Sequence, residues 1–202
     1  MFQQNGKFVD YIITYTPHTP FTTTKEVGKL VAELKYGKGN VPDLSEEDSA
    51  RLMAGETDYM VELLIQALKN NDLYDNTVIV AYADHYLYTI KDKSILDKNK
   101  NTSGNLINHT PFFIWSSDIP SQDVNEVTMQ MNILPTVLNL FGIDYNSNYY
   151  LGTNALAEDY QGIAFFNDYS WYDGDVYVNN NEILNGGNIS DRKMRQTSQL
   201  IN

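Results

Sequence analysis

Cysteine is absent from the 202-residue chain, which removes disulfide frameworks, thiolate nucleophiles and Cys-based zinc sites from consideration. Histidine is nearly as scarce, so imidazole chemistry falls to three residues, His18, His85 and His109. Lysine and arginine number 14 against 26 aspartates and glutamates, a formal net charge of −12. With no dense basic surface to displace counterions, the chain is not expected to bind nucleic acid. Its acidic groups could instead attract divalent cations. Apolar runs fall well short of the roughly 18–20 residues that span a bilayer, and Met1 to Lys7 lacks the charged-then-apolar order of a signal peptide. The chain as it stands therefore reads as soluble.

What is present suits one domain or a large part of one: 42 % of the residues are apolar, enough for a sizeable core. In "NTVIVAYADHYLY", Asn76 to Tyr88, a β-branched run reads as a central strand buried on both faces. "FVDYIIT" at Phe8 to Thr14 and "PFFIW" at Pro111 to Trp115 are two further strand candidates. Ser45, with Asp48 three residues on, reads as the N-cap of a long helix ending near Asn70-Asn71. Val127 to Phe141 reads as a second helix, with Ile133, Leu134, Val137, Leu138 and Phe141 on its buried side and Gly142 just past its end; Pro135 belongs in a first turn, which puts the start of the helix proper near Asn132. Lys25 to Asp43 reads as irregular with one helical turn, and Lys91 to Asn105 as an exposed excursion. "GIAFFND" and "DGDVYVNNNEIL" give a late strand and a hairpin around Asn179 to Asn181. The tail beyond Gly186 is polar and reads as partly disordered.

Strands alternating with helices imply an α/β fold, a mostly parallel sheet sandwiched by helices with a small carboxyl-terminal antiparallel addition. Residues 1–160 are assigned to the α/β part, 161–187 to the added strand and hairpin, and 188–202 to a polar tail.

The sharpest chemical feature is Asp84-His85, delivered at the carboxyl end of a strand, the edge where ligands collect in open α/β sheets. A carboxylate beside a neutral imidazole suits zinc, manganese or a similar divalent ion. Two ligands do not complete a site, and a structurally satisfied Asp and His at a strand end would look the same. His18, on a loop flanked by Pro17 and Pro20, could bind an anionic substrate, assist proton transfer or cap a turn. His109 would approach the same sheet edge if its strand neighbours the first one, although a structural role is the simpler reading. The aromatic segment Tyr169 to Tyr177, with Trp171, could stack a sugar, but aromatic residues in a late hairpin more often cover a core. Asp10, Asp168, Asp173 and Asp175 carry the features of solvated or turn residues.

Four segments, "YTPHTPF" at Tyr15 to Phe21, "LYDNTVIVAYADHY" at Leu73 to Tyr86, "NILPTVLNLFGID" at Asn132 to Asp144 and "LGTNAL" at Leu151 to Leu156, together resemble the lipoteichoic acid synthases and related phosphoglycerol transferases. These form part of the sulfatase branch of the alkaline phosphatase superfamily. The resemblance implies an alkaline phosphatase/sulfatase-like catalytic domain at the extracellular face of the cell membrane, held there by membrane helices of the whole protein. It implies transfer of glycerol phosphate from a lipid headgroup to a cell-surface glycopolymer through a phosphothreonine. A divalent metal, manganese with magnesium or zinc as alternatives, would activate the threonine. Asp84 and His85 match adjacent Asp-His metal ligands, and His18 matches a histidine that contacts the glycerol phosphate.

The departures are equally specific. In the family, the nucleophilic Thr and an early Glu ligand lie well over a hundred residues before the Asp-His pair, whereas 83 residues precede Asp84 here. No Thr of this chain takes the nucleophile's position, so no catalytic residue is carried over. The chain is thus expected to be the carboxyl-terminal part of such a domain, inactive by itself. It would meet the remaining half of the domain as a partner and be prone to self-association through an exposed sheet edge. Ala83, Leu87 and Asn132 stand where relatives often have Gly, Gly or Pro, and Asp. A non-catalytic relative and a sulfuric ester hydrolase are the competing readings.

Overall fold

Ser45 starts the longest element of the fold. Its hydroxyl accepts the Asp48 amide at 3.0 Å, and Glu46, Glu47 and Asp48 place three carboxylates in the first turn, where the helix dipole favours negative charge. A computed structural model describes residues 6–99, 109–179, 182–190, 194 and 197. In chain order they form α1 (Glu26–Tyr36), α2 (Glu46–Asn70), β1 (Ile79–Tyr82), α3 (Lys93–Asn99), β2 (Phe112–Trp115) and α4 (Gln130–Leu140). Four short strands follow, β3 (Ala164–Phe165), β4 (Trp171–Tyr172), β5 (Val176–Asn179) and β6 (Glu182–Gly186). Two compact units divide the chain, residues 1–120 and 121–202.

In the first unit, α1 and α2 pack through Val31, Ala32 and Leu52, with Val27, Val41 and Leu44 at the margin. A second cluster joins Phe21, Met53, Ile90 and Ile95. Segment 25–43 is therefore not irregular: α1 runs eleven residues, since Val27 and Val31 share one helical face and find a partner in α2. Likewise the charged segment after Lys91 is not all excursion. Its residues Lys93–Asn99 form α3, anchored by the buried Ile95, and 100–108 lie outside the described residues.

The expected parallel sheet is not found among the described residues. β1 and β2 pair antiparallel, Ile79 opposite Trp115 and Tyr82 opposite Phe112. The reason lies in the connection: α3 sends Ile95 to Phe21, Met53 and Ile90 instead of forming a crossover helix over the sheet, which a parallel pair requires. β1 is half-buried with Tyr82 exposed, so it is not the doubly covered strand expected. Phe8 to Thr14 forms no strand. It finds no partner strand among the described residues and stays exposed, Val9 at 94 %, although the Tyr11 hydroxyl lies 3.1 Å from that of Tyr82.

In the second unit, β3, β4, β5 and β6 form one antiparallel sheet in chain order. The expected late strand and hairpin are present; Asn179 faces Glu182, while residues 180 and 181 lie outside the described residues. Trp171, Val176 and Val178 are the core of this sheet, so Trp171 covers a core and is not a stacking platform. Asp173 accepts the amides of Asp175 and Val176 at 3.1 and 2.9 Å, a turn role, and Asp168 accepts the Ser170 amide. Most of the polar tail falls outside the described residues.

α4 starts at Gln130, earlier than the proline suggests, and ends with Gly142 in the left-handed region at φ 60, where glycine carries no steric penalty. Its buried face differs from expectation. Asn132, Pro135 and Thr136 are buried, while Leu134 and Phe141 are exposed. The polar pair drives this choice, because Asn132 and Thr136 bond the "LGTNAL" segment. Asn132 Nδ2 donates to the Thr153 carbonyl at 3.0 Å, and Thr136 Oγ1 accepts the Ala155 amide at 2.9 Å. Pro135 has no N–H for the Met131 carbonyl, and at that carbonyl Gly152 approaches so closely that a Cβ would sit 2.0 Å away. Two of the four recognised segments thus form one packing unit.

Candidate functional site

β1 ends at Tyr82, and two residues later the chain presents Asp84 and His85 at its carboxyl end. The structure brings the two side chains together: His85 Nε2 lies 3.3 Å from Asp84 Oδ2, with side chains 42 % and 84 % exposed. Their orientation is locally fixed. Asp84 Oδ1 accepts the His85 amide at 3.0 Å, which turns Oδ2 toward the ring. His85 Nδ1 lies 2.8 Å from the Tyr86 carbonyl. A carbonyl only accepts, so Nδ1 carries the proton and the neutral ring keeps its lone pair on Nε2.

The pair fits a divalent ion. Nitrogen and oxygen donors each about 2.1 Å from one ion stand roughly 3.0 Å apart at a right angle and about 3.4 Å apart at the tetrahedral angle. The observed 3.3 Å falls in that interval. No group of three or more potential ligands occurs among the described residues.

His18 lies on the loop preceding α1. Its Nδ1 is 2.8 Å from the Thr19 carbonyl, and its ring stacks on Tyr15 with centroids 5.4 Å apart and planes 10° from parallel. With Nδ1–H committed to the backbone, Nε2 is the nitrogen left for a ligand. As imidazolium it donates there to an anion. Phe21, three residues on, is buried against Met53, Ile90 and Ile95. Ile90 in turn closes the loop that begins at Asp84, so one apolar cluster anchors both candidate loops.

His109 is exposed and precedes β2. Antiparallel pairing sets the start of β2 beside the end of β1, with the Ala83 amide 3.4 Å from the Pro111 carbonyl. His109 therefore belongs to the same sheet end as Asp84. Sequence reasoning missed Tyr88, whose ring meets that of His85 edge-on at 4.7 Å, and Lys93, whose Nζ donates to the carbonyls of Tyr88 and Ile90 at 2.8 Å each. Nothing in local spacing marks either residue.

A family model described as Sulfatase matches residues 2–143, which include all of these positions. The chain belongs to the sulfatase family. Within it, lipoteichoic acid synthase of Staphylococcus aureus strain USA300 is 29 % identical over 195 residues, covering 90 % of this chain and 29 % of the relative. The same enzyme of strain N315 gives the same values. The crystal structure of the lipoteichoic acid synthase LtaP from Listeria monocytogenes superposes with a TM-score of 0.70 over 93 % of this chain and 49 % of that one. At 19 % identity this last likeness speaks for the fold. This member of the sulfatase family spans under a third of the length of the curated relatives it matches.

Proposed function

We propose that the chain is part of a metal-dependent phosphoglycerol transferase at the extracellular face of the cell membrane. Asp84 and His85 are two ligands of a divalent metal, manganese by preference, and His18 binds the phosphate of a glycerol-phosphate headgroup. The observation that carries this reading is the 3.3 Å separation of Asp84 Oδ2 and His85 Nε2 at the exposed end of β1. When bound, the metal supplies Lewis acidity that offsets charge developing on phosphoryl oxygens.

The chain's own residues do the rest. Asp84 and His85 hold their donors outward because their other polar atoms are tied to the backbone. His18 donates from Nε2 to a phosphate oxygen, its ring held by stacking on Tyr15. The nucleophilic threonine and the remaining metal ligands come from outside these residues, and the acceptor is a cell-surface glycopolymer. No described helix is long and apolar enough to cross a membrane. One observation favours a second reading, a non-catalytic sulfatase-like module: the described residues offer two donors and no third.

Glycerol 1-phosphate titrated against the chain with diamagnetic magnesium present, read from the His18 ring signals by NMR and from the heat of binding, tests the assignment. The transferase reading expects saturable shifts of His18 and a glycerol 1-phosphate affinity, measured by calorimetry, that His18→Ala lowers without loss of metal binding. Metal binding with no response of His18 would refute its role, and no response to either ligand would favour the non-catalytic module.

A further inference from the structure

We propose that Glu46, the first residue of α2, is a positioning residue that fixes the loop bearing Asp84 and His85, an inference that rests on reading the pair as metal ligands. Its carboxylate accepts the Lys91 amide through both oxygens at 3.0 Å and the Asp92 amide through Oε2 at 2.8 Å. A charged acceptor on two backbone donors gives short, strong bonds. Glu46 thereby joins the chain 45 residues away at the point where the loop closes.

Three further contacts show that the loop is held rather than merely grazed. Ile90 is fully buried beside Phe21, Met53 and Ile95. Lys93 Nζ bonds the carbonyls of Tyr88 and Ile90 from the other side. Tyr88, so fixed, sets its ring edge-on against His85. The restraint therefore runs from Glu46 through the Lys91 and Asp92 amides and Ile90 to Tyr88 and the imidazole. Glu47, its neighbour, is engaged differently, by Arg51 at 2.9 Å and Lys98 at 3.3 Å, so the two adjacent carboxylates divide the work. Glu47 ties α2 to α3, and Glu46 ties α2 to the loop. Glu46 acts through the Lys91 and Asp92 amides, which makes it a support of the loop.

The test uses Glu46→Ala and Glu46→Gln, with Ser45→Ala as the control that weakens the start of the same helix without touching the loop. Amide exchange at Lys91 and Asp92 and manganese affinity by calorimetry are the readouts. Glu46→Ala is expected to speed exchange at both amides about tenfold and to weaken manganese binding by about tenfold, in the range for losing a group that orients a ligand. Glu46→Gln, keeping one oxygen acceptor and no charge, should fall between. Ser45→Ala should leave both readouts at wild-type values. Unchanged exchange in Glu46→Ala, or faster exchange with unchanged manganese affinity, overturns the proposal. Should the wild type take up no manganese, the metal reading fails separately. The His85 ring signals then decide the restraint: displaced in Glu46→Ala they uphold it, and unmoved they overturn it.

Discussion

Asn132 donates through Nδ2 to the carbonyl of Thr153 at 3.0 Å, from inside a helix to a loop 21 residues further on. The same side chain accepts the Met129 amide at 2.9 Å and the Tyr160 hydroxyl at 3.1 Å through Oδ1. Buried amides are tolerated when their capacity is used, and Asn132 uses both ends of its group. Removing it breaks three part-buried hydrogen bonds at once, to the Met129 amide, the Thr153 carbonyl and the Tyr160 hydroxyl. Asn132→Ala should destabilise the second unit by about 2–3 kcal/mol, measured by urea unfolding, whereas Asn139→Ala, on the exposed side of the same helix, should cost well under half of that. Equal effects would contradict the account of α4.

Gly152 makes a sharper case, because its space is filled by backbone. A Cβ there would lie 2.0 Å from the Met131 carbonyl oxygen and 2.7 Å from the Asn132 nitrogen, and neither can rotate aside. Gly152→Ala should lower the thermal midpoint strongly or prevent folding of the second unit. Gly187→Ala, where nothing stands within 4 Å, should shift stability by less than about 0.5 kcal/mol. Circular dichroism melts of the two variants decide the matter.

Tyr160 gives a pH signature. Burial pushes its phenol above the ordinary tyrosine value, with Glu126 adding to the rise and the backbone at Ile163 opposing it. A raised folded-state value means that the protonated form is the one favoured by folding. Its contribution is complete below about pH 10 and is lost as pH rises through the folded value. Wild-type stability should therefore fall above pH 10 more steeply than that of Tyr160→Phe. Parallel curves for the two proteins would show that Tyr160 ionises no less easily when folded.

Apolar side chains of the extended segment Phe8 to Thr14, among them Tyr11 and Ile13, stand in solvent, as does Phe113 of β2. Such a segment beside a two-stranded sheet is a template for pairing with a second copy. Light scattering over a dilution series is expected to show a mass that rises with concentration, and Val9→Lys with Ile13→Lys to suppress the rise. A concentration-independent monomer would contradict the proposed self-association.

Much of this architecture was legible because it is written locally. Ser45 and the acids after it announce α2, Gly142 marks the end of α4, and the Asn-rich turn with alternating apolar residues marks the β5–β6 hairpin. Asp84-His85 was legible because adjacency alone places two donors together. Strand direction was not, since the choice between parallel and antiparallel pairing depends on where α3 packs, and Ile95 carries no local sign of its partners. The helix α1 was hidden by Gly28, a poor helix former retained where the Thr22 carbonyl oxygen leaves 2.1 Å for a Cβ. Glu46 was hidden for a different reason: its bonds reach 45 residues ahead, beyond any periodic pattern. The buried face of α4 misled because apolar periodicity favoured Leu134 and Phe141, while the hydrogen-bonding needs of Asn132 and Thr136 turned the helix.

The central claim is that Asp84 and His85 present two donors to one divalent ion. Calorimetric titration of manganese into the chain, beside the Asp84→Ala/His85→Ala double variant, tests it most directly. The account expects weak, saturable binding by the wild type that disappears in the double variant with no loss of folding. Binding that survives in the double variant, or none in the wild type, would contradict it.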